Sequence, residues 1–142
     1  GYHGDMTRTF LKGKASDQQK KLVATVLAAE QKALKEVKAG TTGAAIHDGV
    51  VQYFKEAGYE TRISGGDPEG FFHGTGHGLG LEVHEAPRLS VNGPVLDAGH
   101  VVTVEPGLYY RGIGGARIED VVWVRDDGAE MLSEYHYRWE IS

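Results

Sequence analysis

FFHGTGHGLGLEVHEAP, running from Phe71 to Pro87, sets three histidines and two glutamates among four glycines. In an extended strand, side chains at even separations share a face, so His73 and His77 point to one side of the segment. Gly74, Gly76 and Gly78 argue against a helix, because each interior glycine costs about 1 kcal/mol of helix stability. The stretch therefore reads as extended and backbone-tight, unlike a helical HExxH zinc site. Glycines of this kind let a substrate or a metal cluster approach the main chain. A lone strand histidine is ordinarily a hydrogen-bonded structural residue, but three beside glycines point to chemistry.

The surroundings are those of one ordinary folded unit. The chain has 142 residues, 40% hydrophobic and 25% charged, enough to bury a core. Its net charge of −5 and a pI near 5.8 exclude the clustered Lys and Arg of a nucleic-acid or anionic-membrane surface, leaving small molecules or peptides as partners. There are no cysteines, so disulfides, thiolate zinc sites and a cysteine nucleophile are ruled out, and any metal must use His and carboxylates. No apolar run is long enough to span a bilayer, and GYHGDMTRTF lacks the order of a signal peptide, which points to the cytoplasm.

Two helices are predicted. Ser16-Asp17 is a start signal for a segment in which Leu22, Val23, Val26, Leu27, Leu34 and Val37 recur at helical spacing before Gly40. A second, from about Gly43 to Ala57, carries Ile46, Val50, Val51 and Phe54 and stops at Gly58. Both read as scaffold with solvated Lys and Glu. Strands are predicted over VVTVEPG (Val101 to Gly107) and ARIEDVVWVRDDG (Ala116 to Gly128), the latter ending in an Asp-Gly turn. GYHGDMTRTFLKGK alternates from its first residues, with His3, Asp5, Thr7 and Thr9 on one face and Met6, Arg8 and Phe10 on the other. A chain that opens inside a strand, without Met, reads as a fragment. One mixed α/β unit is the simplest organisation.

Glu105 ends a run of valines just before Pro106, where an unpaired carboxylate would carry a large desolvation cost and wants a cation. Glu119 shares a strand face with Arg117, Val121 and Trp123, and an Arg117–Glu119 ion pair is its structural alternative. Asp120 faces the other way. Asp5, His77, Glu105 and Glu119 make an oxygen-rich, thiolate-free set that suits Mn²⁺ or Co²⁺, with carboxylates able to bridge two ions.

In that order, GYHGDMTRTF, HGTGHGLGLEVHEAP, VVTVEPGLYY and ARIEDVVWV resemble the catalytic domain of the pita-bread metallopeptidases (creatinase, aminopeptidase P and methionine aminopeptidase), specifically the aminopeptidase P and Xaa-Pro dipeptidase (prolidase) branch. The resemblance implies an α+β fold, a curved and mostly antiparallel sheet covered by helices. It implies two divalent ions, Mn²⁺ first with Co²⁺ or Zn²⁺ as alternatives, and a metal-bridging hydroxide that attacks the carbonyl before proline. Asp5 and Glu119 would bridge the ions, and His77 and Glu105 would hold one of them. Glu105 would also shuttle a proton, His73 and His84 would position substrate and stabilise the intermediate, and Arg117 would orient the bridging carboxylates. Glu82 and Glu85 read as loop surface.

The family's remaining aspartate ligand falls about eleven residues before the position of Asp5, by the same resemblance. Residues 1–142 are accordingly expected to be a single partial catalytic domain, without that ligand and without the N-terminal domain. The implied substrate is a peptide or dipeptide with proline in second position, and the implied parent is a homo-oligomer. The rival readings are a non-catalytic pita-bread module that binds peptides or proteins, a methionine aminopeptidase-like hydrolase and a creatinase-like hydrolase. Retention of all the in-range ligand positions favours the metallopeptidase.

Overall fold

Ser16 starts the first helix as its sequence predicts. Its hydroxyl accepts the Gln19 amide at 3.2 Å, and the Gln19 side chain accepts the Ser16 amide at 2.9 Å. This reciprocal capping box satisfies two donors that a helix start otherwise leaves open. In the computed structural model, which describes residues 1–141, helix α1 spans Asp17–Glu36 and α2 spans Gly43–Glu56. Thr42 caps α2 by accepting the Ala45 amide at 3.0 Å.

The strands are β1 (Leu11–Lys12), β2 (Gly76–Gly78), β3 (Glu85–Leu89), β4 (Val101–Val104), β5 (Gly107–Tyr110), β6 (Gly114–Arg117), β7 (Asp120–Val124), β8 (Ala129–Met131) and β9 (Glu140–Ile141). Five of them form one sheet in the order β3-β2-β4-β7-β8, with every pair antiparallel. β5 and β6 form a separate antiparallel pair, and β1 and β9 a short parallel one. Val102, Val104, Val122, Val124 and Leu89 lie in one buried cluster with Leu22, Val26, Ala29, Ala33, Ile46, Val50 and Phe54 of the helices. Each of the valine, leucine, isoleucine and phenylalanine side chains among them contributes roughly 1.5–3 kcal/mol by leaving water. Strand alternation and the Thr103–Val121 pairing put these two residues on the opposite face, away from the helices.

Two strand expectations are corrected. Ala116 to Gly128 is not one strand: β6 ends at Arg117 and β7 begins at Asp120, because β6 pairs with β5 while β7 pairs with β4. The chain crosses between sheets at Ile118-Glu119. It makes the matching crossing between β4 and β5 at Glu105-Pro106, where proline has no N–H for a ladder.

The amino-terminal segment is not a continuous strand either; Thr7 forms an isolated antiparallel bridge to Glu119. The predicted alternation survives in the side chains. Thr9 Oγ1 donates to the Arg117 carbonyl at 2.9 Å and accepts the Arg117 amide at 3.0 Å, so a hydroxyl takes the place of ladder hydrogen bonds. Among the described residues no helix is long and apolar enough to cross a membrane.

Candidate metal centre

His77 is held from several directions. Its amide donates to Thr103 Oγ1 at 3.0 Å, and that hydroxyl donates in turn to Glu105 Oε1 at 3.2 Å. The Glu105 amide donates to the Thr75 carbonyl at 2.7 Å. Strand β2 therefore carries His77 and, through two buried threonines, positions the glutamate at the end of β4. The glycines serve a different purpose from the one expected. A Cβ on Gly76 would lie 1.9 Å from the Thr103 carbonyl oxygen, and one on Gly78 would lie 2.2 Å from that of Ala86. Neighbouring main chain occupies the space that the sequence reading reserves for substrate or metal.

The imidazole is oriented for coordination. His77 Nδ1 donates to the Gly78 carbonyl at 3.1 Å, which directs Nε2 toward the carboxylates. Nε2 lies 3.1 Å from Glu105 Oε1 and 3.8 Å from Asp5 Oδ2. Ligand atoms of Asp5, His77 and Glu119 all lie within 4.8 Å of one another. The four predicted ligands come from separate segments and meet where the chain crosses between sheets.

Burial pushes the Glu119 carboxyl up to about 7; the Thr7 hydroxyl opposes this, and the charges of Glu105 and Asp5 add to it. Burial also pushes Glu105 up, but its hydrogen bond and charge interaction with His77 outweigh that and leave it below the usual carboxylate range. Burial would lower His77, yet Glu105 and the Gly78 carbonyl raise it overall. Three mutually repelling carboxylates around one correctly turned imidazole are a donor set that a divalent cation would relieve, so these residues fit a metal.

Arg117 does not form the ion pair with Glu119 that was the structural alternative for that residue. Its Nε lies 4.0 Å from Glu105 Oε2 and donates to Thr7 Oγ1 at 3.3 Å, and the Thr7 hydroxyl donates to Glu119 Oε2. His84 is exposed, with its ring centroid 4.3 Å from that of His77. His73 sits further along. Its Nδ1 donates to the Gly74 carbonyl at 2.8 Å, which leaves Nε2 to accept the Tyr109 hydroxyl at 2.9 Å. Burial holds the His73 imidazole below its ordinary value and so neutral.

Tyr109 and His47 escaped the sequence reading. His47, buried on α2, places Nδ1 3.0 Å from Thr75 Oγ1, beneath the loop that carries His73. A histidine beside Ile46 on a helix that buries Ile46, Val50 and Phe54 was the available signal. Glu82 is exposed as expected, while Glu85 accepts the Glu82 amide at 3.1 Å and closes its own loop.

The model of metallopeptidase family M24 matches residues 1–126. The chain belongs to metallopeptidase family M24. This M24 chain is 39% identical over 134 residues to the Xaa-Pro dipeptidase of Pyrococcus furiosus, a match covering 94% of this chain and 36% of the relative. It superposes on the X-Pro aminopeptidase from Thermotoga maritima with a TM-score of 0.88 and 37% identity, covering 99% of this chain and 38% of that one. For the Xaa-Pro dipeptidase from Bacillus anthracis the TM-score is 0.89 and the identity 40%, at the same coverages of 99% and 38%. The fold is the pita-bread architecture, as the motifs imply. The M24 chain spans little more than a third of the length of these relatives.

Proposed function

We propose that this M24 chain is part of the catalytic domain of a longer metal-dependent exopeptidase that hydrolyses the Xaa-Pro bond at peptide N-termini. The observation that carries the reading is the convergence of Asp5, His77 and Glu119 within 4.8 Å, with Glu105 3.1 Å from the same imidazole. Asp5, His77 Nε2, Glu105 and Glu119 would hold the divalent ions, Mn²⁺ by preference. Ions bound there supply Lewis acidity, which lowers the pKa of water and polarises a peptide carbonyl.

The chain's own groups do the rest. Glu105 is placed to take a proton on a carboxylate oxygen, and Arg117, 4.0 Å from its Oε2, steadies the charged form. Exposed His84, beside the His77 ring, would donate to the oxygen of the scissile carbonyl, where charge develops in the transition state. His73, locked by Tyr109 and the Gly74 carbonyl, presents a neutral ring to the substrate. Proline offers no backbone N–H, so its ring and the carbonyl before it must be recognised directly.

The test uses the full-length protein that carries this chain, loaded with Mn²⁺ and offered matched Xaa-Pro and Xaa-Ala peptides. Release of the N-terminal residue from Xaa-Pro alone, lost on Glu105→Ala, is the expected result. Equal cleavage of both substrates would remove the proline preference. No turnover of any peptide would favour a peptide-binding module instead.

A further inference from the structure

Next to Glu119 in the chain lies a buried ion pair that the reaction does not use. Arg8 Nη2 is 2.8 Å from Asp120 Oδ1 and 3.0 Å from Oδ2, and the two side chains are 5% and 0% exposed. Nη1 donates to the carbonyls of Thr7, at 3.0 Å, and Glu119, at 2.8 Å. One guanidinium thus binds the segment that carries Asp5 and both residues of the Glu119-Asp120 pair. Asp120 is fixed in turn, accepting from Ser133 Oγ at 2.6 Å and from the Tyr137 hydroxyl at 2.8 Å. The Arg8 guanidinium also packs over the Tyr137 ring, 4.4 Å from its centroid.

We propose that Arg8 is a positioning residue that sets the separation of the Asp5 and Glu119 carboxylates. The inference rests on the metal-centre reading above. Its physical basis is the sparse main-chain pairing between the two segments, which is the single bridge at Thr7 and Glu119. With no continuous ladder, the Thr9 hydroxyl on the Arg117 main chain and the rigid planar fork of Arg8 on the Glu119 carbonyl and the Asp120 carboxylate share the task of holding them in register. Lysine keeps the charge but has no fork, so it cannot bind a carboxylate and two carbonyls in fixed directions. The outward twin of this clamp is the Thr7 hydroxyl on Glu119; together they grip the glutamate through its carbonyl and its carboxylate.

The experiment is calorimetric titration of Mn²⁺ alone into full-length wild type, Arg8→Lys and Val26→Ala. Val26 is a fully buried core residue remote in role from the metal, so its variant reports what general destabilisation does. Arg8→Lys is expected to weaken Mn²⁺ binding about 10–100-fold, as loss of a ligand-orienting partner does, while Val26→Ala lowers the melting temperature and leaves Mn²⁺ affinity unchanged. Wild-type affinity in Arg8→Lys overturns the proposal, and so does an equal loss of affinity in Val26→Ala. If Arg8→Lys does not fold, Asp120→Asn, which keeps the side-chain volume, is judged by the same criteria. A wild type that binds no Mn²⁺ overturns the metal-centre reading and this proposal with it, whereas tight wild-type binding with an indifferent Arg8→Lys sinks this proposal alone.

Discussion

The helix layer and the crossing between the sheets are built from opposite materials. In the layer, Val26, Ala29, Val50 and Phe54 pack on Val102, Val104, Val122 and Val124, with apolar groups facing apolar groups. At the crossing, Asp5, His77, Glu105 and Glu119 are crowded together behind buried threonines, and Arg8 and Asp120 lie under them. The layer makes stability, because apolar burial is additive and tolerant of small shifts. The crossing gives some of it up, since burial disfavours a charged carboxylate and neighbouring carboxylates add to that, as the Glu119 carboxyl at about 7 shows. Strand ladders stop where the chain changes sheets, and that leaves main chain and side chains free to converge from separate segments.

The sharpest separation of the two comes from His77→Ala. Removing the imidazole should weaken Mn²⁺ binding by more than about 100-fold, exceeding the loss from an orienting partner, while melting temperature without metal changes little; titration and thermal unfolding check both halves. Phe54→Ala should do the reverse. Phe54 is 2% exposed, and its truncation is expected to cost about 3–5 kcal/mol by denaturant unfolding, with Mn²⁺ stoichiometry kept in the folded fraction.

Gly76→Ala should violate the division. Its new Cβ would meet the Thr103 carbonyl, so roughly 1–3 kcal/mol of overpacking strain should appear together with weaker Mn²⁺ binding, because Thr103 also holds His77 and Glu105. Strain without any change in metal affinity would mean that Thr103 does not transmit its position to the ligands.

Glu30 offers a test whose effect depends on pH and vanishes at the acid end. This α1 residue is fully buried, and neither carboxylate oxygen has a hydrogen-bond partner of good geometry. Burial, with Asp120 alongside, pushes its carboxyl from 4.5 up to about 8. A raised folded-state value means that Glu30 contributes its full stability below pH 4.5 and loses it as pH rises through about 8. Glu30→Gln should match wild type near the acid end and exceed it increasingly up to pH 9. Parallel stability curves across that range would show that Glu30 is not buried in its neutral form.

Much of the helix layer was legible because its signals are local. Ser16 and Gln19 cap α1 through neighbours three residues apart, and the apolar spacing of Val26, Val50 and Phe54 is set by the helical repeat alone. The candidate ligands stood out for another reason. His77, Glu105 and Glu119 are polar groups in segments otherwise rich in glycine and valine, where nothing but a partner justifies them.

Their meeting was not legible, because it depends on long-range register. Thr7 against Glu119 and Gly78 against Val102 are contacts between residues far apart in the chain. The same holds for the glycines, whose missing Cβ atoms make room for Thr103 and Ala86 rather than for a ligand, and for Tyr109 and Arg8, whose partners lie 36 and 112 residues away. Composition and periodicity determined which residues had to be inside and which carried charge. Only the packing of distant strands decided which carboxylates face one another, because repulsion between them can be borne only where the rest of the fold holds them in place.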